Sequence, residues 1–214
     1  MQLTLMGMSG CGKSHWSNAL SRQGFQRFSC DELIAGKLSD CLKKQDGGVM
    51  ELGEWMGFPF EPGYEDREKR YLAAETEVVR EIVRDFESGR LDRSMNIVVD
   101  STGSLIYLDE NLLDRLKRHT AFVYFHAPQS LWNEMLLLYS SNPRPILWHG
   151  TYHAGENETN DKALARCYKD LIISRDRLYS QYADIMVSAE GLREGNFNAL
   201  DLLKEIQSKL HTNQ

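Results

Sequence analysis

Little in this sequence points toward a membrane, a nucleic acid or an oxidising compartment. No apolar run approaches the roughly 20 residues that a membrane helix needs, so no membrane partner is expected. No Lys/Arg-rich run is present and the formal net charge is −6. The basic footprint of a nucleic-acid binder is therefore missing. The four cysteines (Cys11, Cys30, Cys41 and Cys167) have neither metal-site nor disulfide-framework spacing. The first residues, MQLTLMG, run straight into a strand-like segment without the basic flank and cleavage site of a signal peptide. These absences predict a reduced, cytoplasmic location. Repeats, low-complexity tracts and linkers are lacking too, so residues 1–214 read as one domain with a sizeable core.

What is present is alternation. Short apolar runs at 2–6, 25–29, 96–100, 121–127 and 184–188 read as strands, several of them apolar on both faces. Segments of helical period lie between them, at 13–22, 31–44, 64–88, 109–118, 129–140, 160–182 and 197–210. Such alternation predicts an α/β fold, a parallel sheet with helices on both faces. Ligands in these sheets sit at the carboxyl ends of the strands. Functional side chains are expected just after Met6, Ser29, Asp100 and Ala127.

The first of these places holds Gly7-Met-Ser-Gly-Cys-Gly12-Lys13-Ser14, a full GxxxxGK[ST]. Its glycines let backbone N–H groups turn inward around phosphate oxygens, and the following helix adds its positive end. Lys13 would reach the β- and γ-phosphates and Ser14 would hold Mg²⁺. Cys11 would supply only its amide; a redox role is the alternative, since a helix N-terminus lowers a thiol pKa. Asp100 opens DSTG after a strand and reads either as a metal-directed carboxylate or as a turn cap. The same DxxG occurs in GTPases, but the guanine-reading NKxD is absent from the chain. Asp31 ends another strand, as a carboxylate for an acceptor hydroxyl, as a helix cap, or as both. Arg144, between Pro143 and Pro145, reads as a charge-neutralising arginine or a surface residue in a turn. The polar stretch HGTYHAGENETND that follows has the composition of a mobile lid.

Taken in order, these motifs resemble shikimate kinase and its relatives among small P-loop kinases of the nucleoside-monophosphate-kinase type. The resemblance rests on the loop at 7–14, the Asp31 segment, residues 96–103, RPIL at 144–147 and RDRLYSQYAD at 175–184. It implies a five-stranded parallel sheet of order 2-3-1-4-5, with an acceptor region within about 31–90 and a lid at about 142–162. It further implies transfer of the γ-phosphate of ATP, with Mg²⁺, to a hydroxyl of a small metabolite. Lys13, Asp31 and Arg144 would be catalytic. Gly7, Ser9, Gly10, Cys11, Gly12, Lys13, Ser14 and His15, with Arg144, would hold the nucleotide. Asp31, Gly103 and Arg175 would hold the acceptor, and Ser14 and Asp100 the metal. The protein would work as a monomer or homodimer.

Departures from the family limit the expectation. Ser29 stands where the family has an aspartate, and Leu72 where it has a carboxylate-binding arginine. Arg67 or Arg70 is the expected replacement for the latter. Arg175 keeps an anionic or polyhydroxylated acceptor in view. Trp55, Phe58, Phe60 and Tyr64 either line an acceptor pocket or pack a small subdomain. A nucleotide or nucleoside kinase and a non-catalytic ATP-binding module are the alternatives.

Overall fold

The structure is a computed structural model that describes residues 1–141, 144–193 and 195–212. Its five strands are β1 (Gln2–Met6), β2 (Gln26–Ser29), β3 (Ile97–Asp100), β4 (Ala121–His126) and β5 (Ile185–Ser188). They form one all-parallel sheet in the order β2-β3-β1-β4-β5, as expected. Leu3, Leu5, Val98, Val99, Val123 and Phe125 are fully buried, which explains the near-continuous apolar runs. β5 departs from this: it lies at the sheet edge and alternates buried and exposed residues.

Among the described residues, eight α-helices surround the sheet: α1 (Lys13–Ser21), α2 (Cys30–Lys37), α3 (Leu52–Met56), α4 (Tyr64–Glu87), α5 (Glu110–Lys117), α6 (Trp132–Ser141), α7 (Asn160–Tyr182) and α8 (Ala199–Thr212). In α4 the apolar stripe of Tyr71, Val78, Val79, Ile82, Val83 and Phe86, spaced at helical period, is buried. Gly89, at φ 77°, stops the helix just beyond its end, where a left-handed residue suits glycine best.

One element differs from the sequence expectation. The helix expected over 31–44 ends at Lys37, because Gly36, Ser39 and Asp40 are poor helix residues. A small hairpin replaces the rest, with Met50 N donating to Leu42 O at 2.7 Å and Lys44 N to Gly48 O at 2.8 Å. In α7 the buried face runs through Tyr168, Arg175 and Tyr179, while Leu178 and Tyr182 are only partly covered.

Candidate active site

The glycine loop joins β1 to α1. Gly7, Gly10 and Gly12 all have positive φ, at 143°, 89° and 101°. At Gly7 the requirement is also steric: a Cβ there would lie 2.8 Å from the carbonyl oxygen of Phe125. Lys13 is 7% exposed and its Nζ donates to the carbonyls of Gly7 (2.8 Å) and Met8 (3.1 Å). Its ammonium is therefore held directly over the loop. Cys11 is buried and burial raises its thiol pKa, so it stays protonated. That environment argues against the redox alternative.

Beside the loop opens a cavity of about 780 Å³. Ser9, Gly10, Gly12, Lys13, Ser14 and His15 line one end of it. Asp31, Gly103 and Arg144 also reach the wall, so residues from four separated segments converge. Asp31 is the second residue of α2 and does not cap it. Its Oδ1 accepts from the Tyr71 hydroxyl at 2.8 Å. Water reaches Asp31 through the cavity, yet protein surrounds it on most sides. This desolvation raises its pKa, opposed by the Tyr71 hydrogen bond and the charge of Lys13. Arg144 is exposed on the cavity wall, and its charge also lowers the Asp31 pKa.

The donor end fits a triphosphate and its metal on structural grounds. Three left-handed glycines lead into a helix N-terminus, and Lys13 and the exposed Ser14 line the same space. Among the described residues no group of three or more His, Cys, Asp or Glu side chains is arranged around a metal. Ser14, whose exposed side chain lines this space, is the residue that would hold Mg²⁺.

Asp100 corrects the expectation of a metal-directed carboxylate. It is 5% exposed and does not line the cavity. Its Oδ2 accepts from Ser17 Oγ and from the Arg27 guanidinium, both at 2.9 Å. Arg27 also donates to Ser17 Oγ at 2.8 Å and pairs with Glu32 at 2.9 Å. The cause is sheet pairing: β2 beside β3 brings Arg27 against Asp100. Asp100 thus pins the base of α1 to the sheet.

Three arginines expected at the acceptor are also placed elsewhere. Arg67 ties the 56–62 loop, donating to Met56 O (2.9 Å) and Pro62 O (3.0 Å). Arg70 is exposed, with Cys41 Sγ at 3.8 Å as its contact. Arg175 is 1% exposed and lies behind Gly103, where an added Cβ would meet its guanidinium at 2.9 Å. It donates to the Tyr107 hydroxyl (3.2 Å) and to Leu147 O, and its guanidinium carbon sits 5.1 Å from the Tyr107 ring centre. None of the three lines the cavity.

Arg175 instead helps to clamp the root of the expected lid. Ile146, Leu147 and Trp148 are buried. The Tyr64 hydroxyl donates to Ile146 O at 2.7 Å and accepts from Trp148 N at 3.0 Å. His149 N donates to Glu68 at 2.8 Å, and Trp148 Nε1 to the Tyr139 hydroxyl at 3.1 Å. Asn142 and Pro143, the first residues of the expected lid, lie outside the described residues. Phe58 and Phe60 stack on each other at 5.3 Å and, with Tyr64 and Trp55, pack against the core. These aromatics do not line the cavity.

Residues that the motifs missed complete the site. Tyr71 positions Asp31, and one turn on Glu75 is fully buried. Glu75 accepts from the hydroxyls of Thr102 and Ser104, tying α4 to the turn that carries Gly103. Burial pushes its pKa up to about 7, against the pull of those hydroxyls. Leu42, Val49, Met50, Glu51 and Leu52 complete the wall. Asp46-Gly47-Gly48 was the available signal for that hairpin, since a left-handed glycine closes its turn at φ 85°.

Comparison with known proteins agrees with the fold. No curated protein matches the sequence. Three solved structures share the fold over almost the whole chain. Shikimate kinase from Bacteroides thetaiotaomicron is 16% identical with a TM-score of 0.59, covering 99% of this chain and 96% of that one. Shikimate kinase from Aquifex aeolicus is 18% identical at 0.56, covering 100% and 98%. Dephospho-CoA kinase from Campylobacter jejuni is 14% identical at 0.54, covering 99% and 98%. A family model described as an AAA domain matches residues 3–136, from β1 through the glycine loop into α6. The chain belongs to this AAA-domain family, and it carries the family's nucleotide-loop region on the fold of the small P-loop kinases.

Proposed function

We propose that the protein is an ATP-dependent kinase that transfers the γ-phosphoryl group to a hydroxyl of a small molecule. One observation carries the reading: Lys13, Ser14, Asp31 and Arg144 line a single cavity. The loop amides and Lys13 would hold the phosphates, with Lys13 exchanging the carbonyls of Gly7 and Met8 for phosphate oxygens. Mg²⁺, held by Ser14, supplies charge neutralisation when bound. Asp31, fixed by Tyr71, orients the acceptor hydroxyl and takes its proton. The hydroxyl oxygen bonds to the γ-phosphorus as the bond to the β–γ bridging oxygen breaks, and ADP leaves. Arg144, on the same cavity wall, would neutralise charge on the transferring group.

On this reading residues 1–214 form one kinase unit, with the acceptor region inside about 31–90 and the lid at about 142–162. A nucleoside kinase lacks support, because the aromatic rings at 55–64 pack inward. The test is acceptor-dependent ADP release across a metabolite library, with product mass showing one added phosphoryl group. Asp31→Asn should suppress that release while ATP binding persists. Tight ATP binding with no acceptor-dependent turnover across the library would mark a non-catalytic module instead.

A further inference from the structure

The acceptor end of the cavity has a chemical character of its own. Leu42, Val49, Met50 and Leu52 give it an apolar floor. Its charged wall residues, Asp31, Glu32 and Glu51, are all acidic. Lys13 and Arg144 are the Lys and Arg residues in the lining, and the kinase reading assigns both to the transferring phosphates.

Most of the neighbouring cations are engaged, and Arg70 lies exposed outside the lining. Arg27 meets Glu32 at 2.9 Å, Lys43 meets Asp40 at 2.7 Å, and Lys44 meets Glu54 at 3.1 Å. Arg67, Arg70 and Arg175 are held in the loop, at the surface and behind Gly103. Glu51 differs from Glu32. It directly precedes α3, makes no side-chain cap, and has no ion pair or side-chain hydrogen bond among the described residues. A hydroxy acid bound here would place its carboxylate among carboxylates, with the lining cations occupied elsewhere. Like charges so placed disfavour binding, whereas an ammonium group finds a partner.

Building on the kinase reading, we propose that the acceptor is a hydroxylated cation. It would be an amino alcohol or amino sugar whose ammonium pairs with Glu51 and whose carbon skeleton rests on Leu42, Val49 and Met50. Asp31 receives its hydroxyl. Specificity then comes from the hairpin and the start of α3.

The test uses the full-length protein with ATP and Mg²⁺ and three matched panels. These are amino alcohols and amino sugars, uncharged polyols and sugars, and hydroxy acids that include shikimate. Acceptor-dependent ADP release should be greatest with a member of the first panel, at least about tenfold in kcat/KM over its uncharged counterpart. Glu51→Gln should raise KM for that acceptor about tenfold with little change in kcat, as loss of a uniform binding contact does. Glu51→Lys should move the preference toward the hydroxy acids. Glu51 is exposed, and a thermal melt of each variant confirms folding. Preference for hydroxy acids or uncharged sugars overturns this inference and leaves the kinase reading standing. So does an unchanged KM in Glu51→Gln. No ADP release with any panel, despite ATP binding, removes the kinase reading and the inference with it.

Discussion

The two ends of the cavity are built from different materials. The donor end is mainly backbone: three left-handed glycines, a helix N-terminus and one lysine lying over the loop. The part that the kinase reading gives to the acceptor is mainly side chains on a hairpin and a five-residue helix, with Val49 74% exposed. A phosphate chain presents the same oxygens in every such enzyme, so a fixed backbone cradle serves it. An acceptor is particular, so its wall is made from exchangeable side chains. That difference also explains which end the motifs describe.

The contrast is broken most directly at Lys13. Lys13→Ala should lower turnover about 10³-fold or more, by removing a cation aimed at the transferring group. Retained turnover, followed as ADP release, would move the phosphates away from the loop. Asp31→Asn should cost about 10²-fold or more in kcat while leaving ATP affinity near wild type. Equal losses in kcat and ATP affinity would place Asp31 in the donor end instead.

Glu75 gives a pH test of the seam between the two ends. Burial raises its pKa from 4.5 to about 7, so the folded state favours the protonated acid. The stability this contributes is complete below about pH 4.5 and fades as pH rises to about 7. Glu75→Gln has no proton to lose. Its stability relative to wild type should therefore improve between pH 5 and pH 8, by up to about 3 kcal/mol in denaturant melts. A pH-independent difference would show that Glu75 ionises normally.

Arg175→Met sharpens the comparison further. It should destabilise the fold by about 2 kcal/mol, since Leu147 O and the Tyr107 hydroxyl lose a buried partner. Acceptor KM should stay near wild type. A raised KM with an unchanged melt would return Arg175 to the acceptor site. The smallest effect is expected from Tyr71→Phe. Without the hydroxyl that favours its ionised form, the Asp31 pKa should rise further, and the acid limb of kcat/KM should move to higher pH.

Much of the fold was legible because strands covered on both faces leave continuous apolar runs. The stripe in α4 was legible because one face of a long helix is buried. The glycine loop was legible because its chemistry depends on spacing along one short segment. Arg27 was not, because its partner Asp100 arrives through the pairing of β2 with β3, and nothing local marks that encounter. Arg175 was placed at the acceptor by motif, but helical periodicity gives no sign that a guanidinium is buried. The aromatics at 55–64 drew attention from the less conspicuous Leu42, Val49 and Met50, whose position depends on how the hairpin folds back.

The hairpin closes on its own hydrogen bonds, from Met50 N to Leu42 O and from Gly47 N to Lys44 O. Its fold therefore owes little to the identity of the exposed side chains facing the cavity. Substitutions there, Val49 above all, can accumulate without disturbing the phosphate machinery. On the kinase reading the hairpin is thus a ready site for evolutionary drift in substrate choice, and the segment to randomise first in a laboratory search for new acceptors.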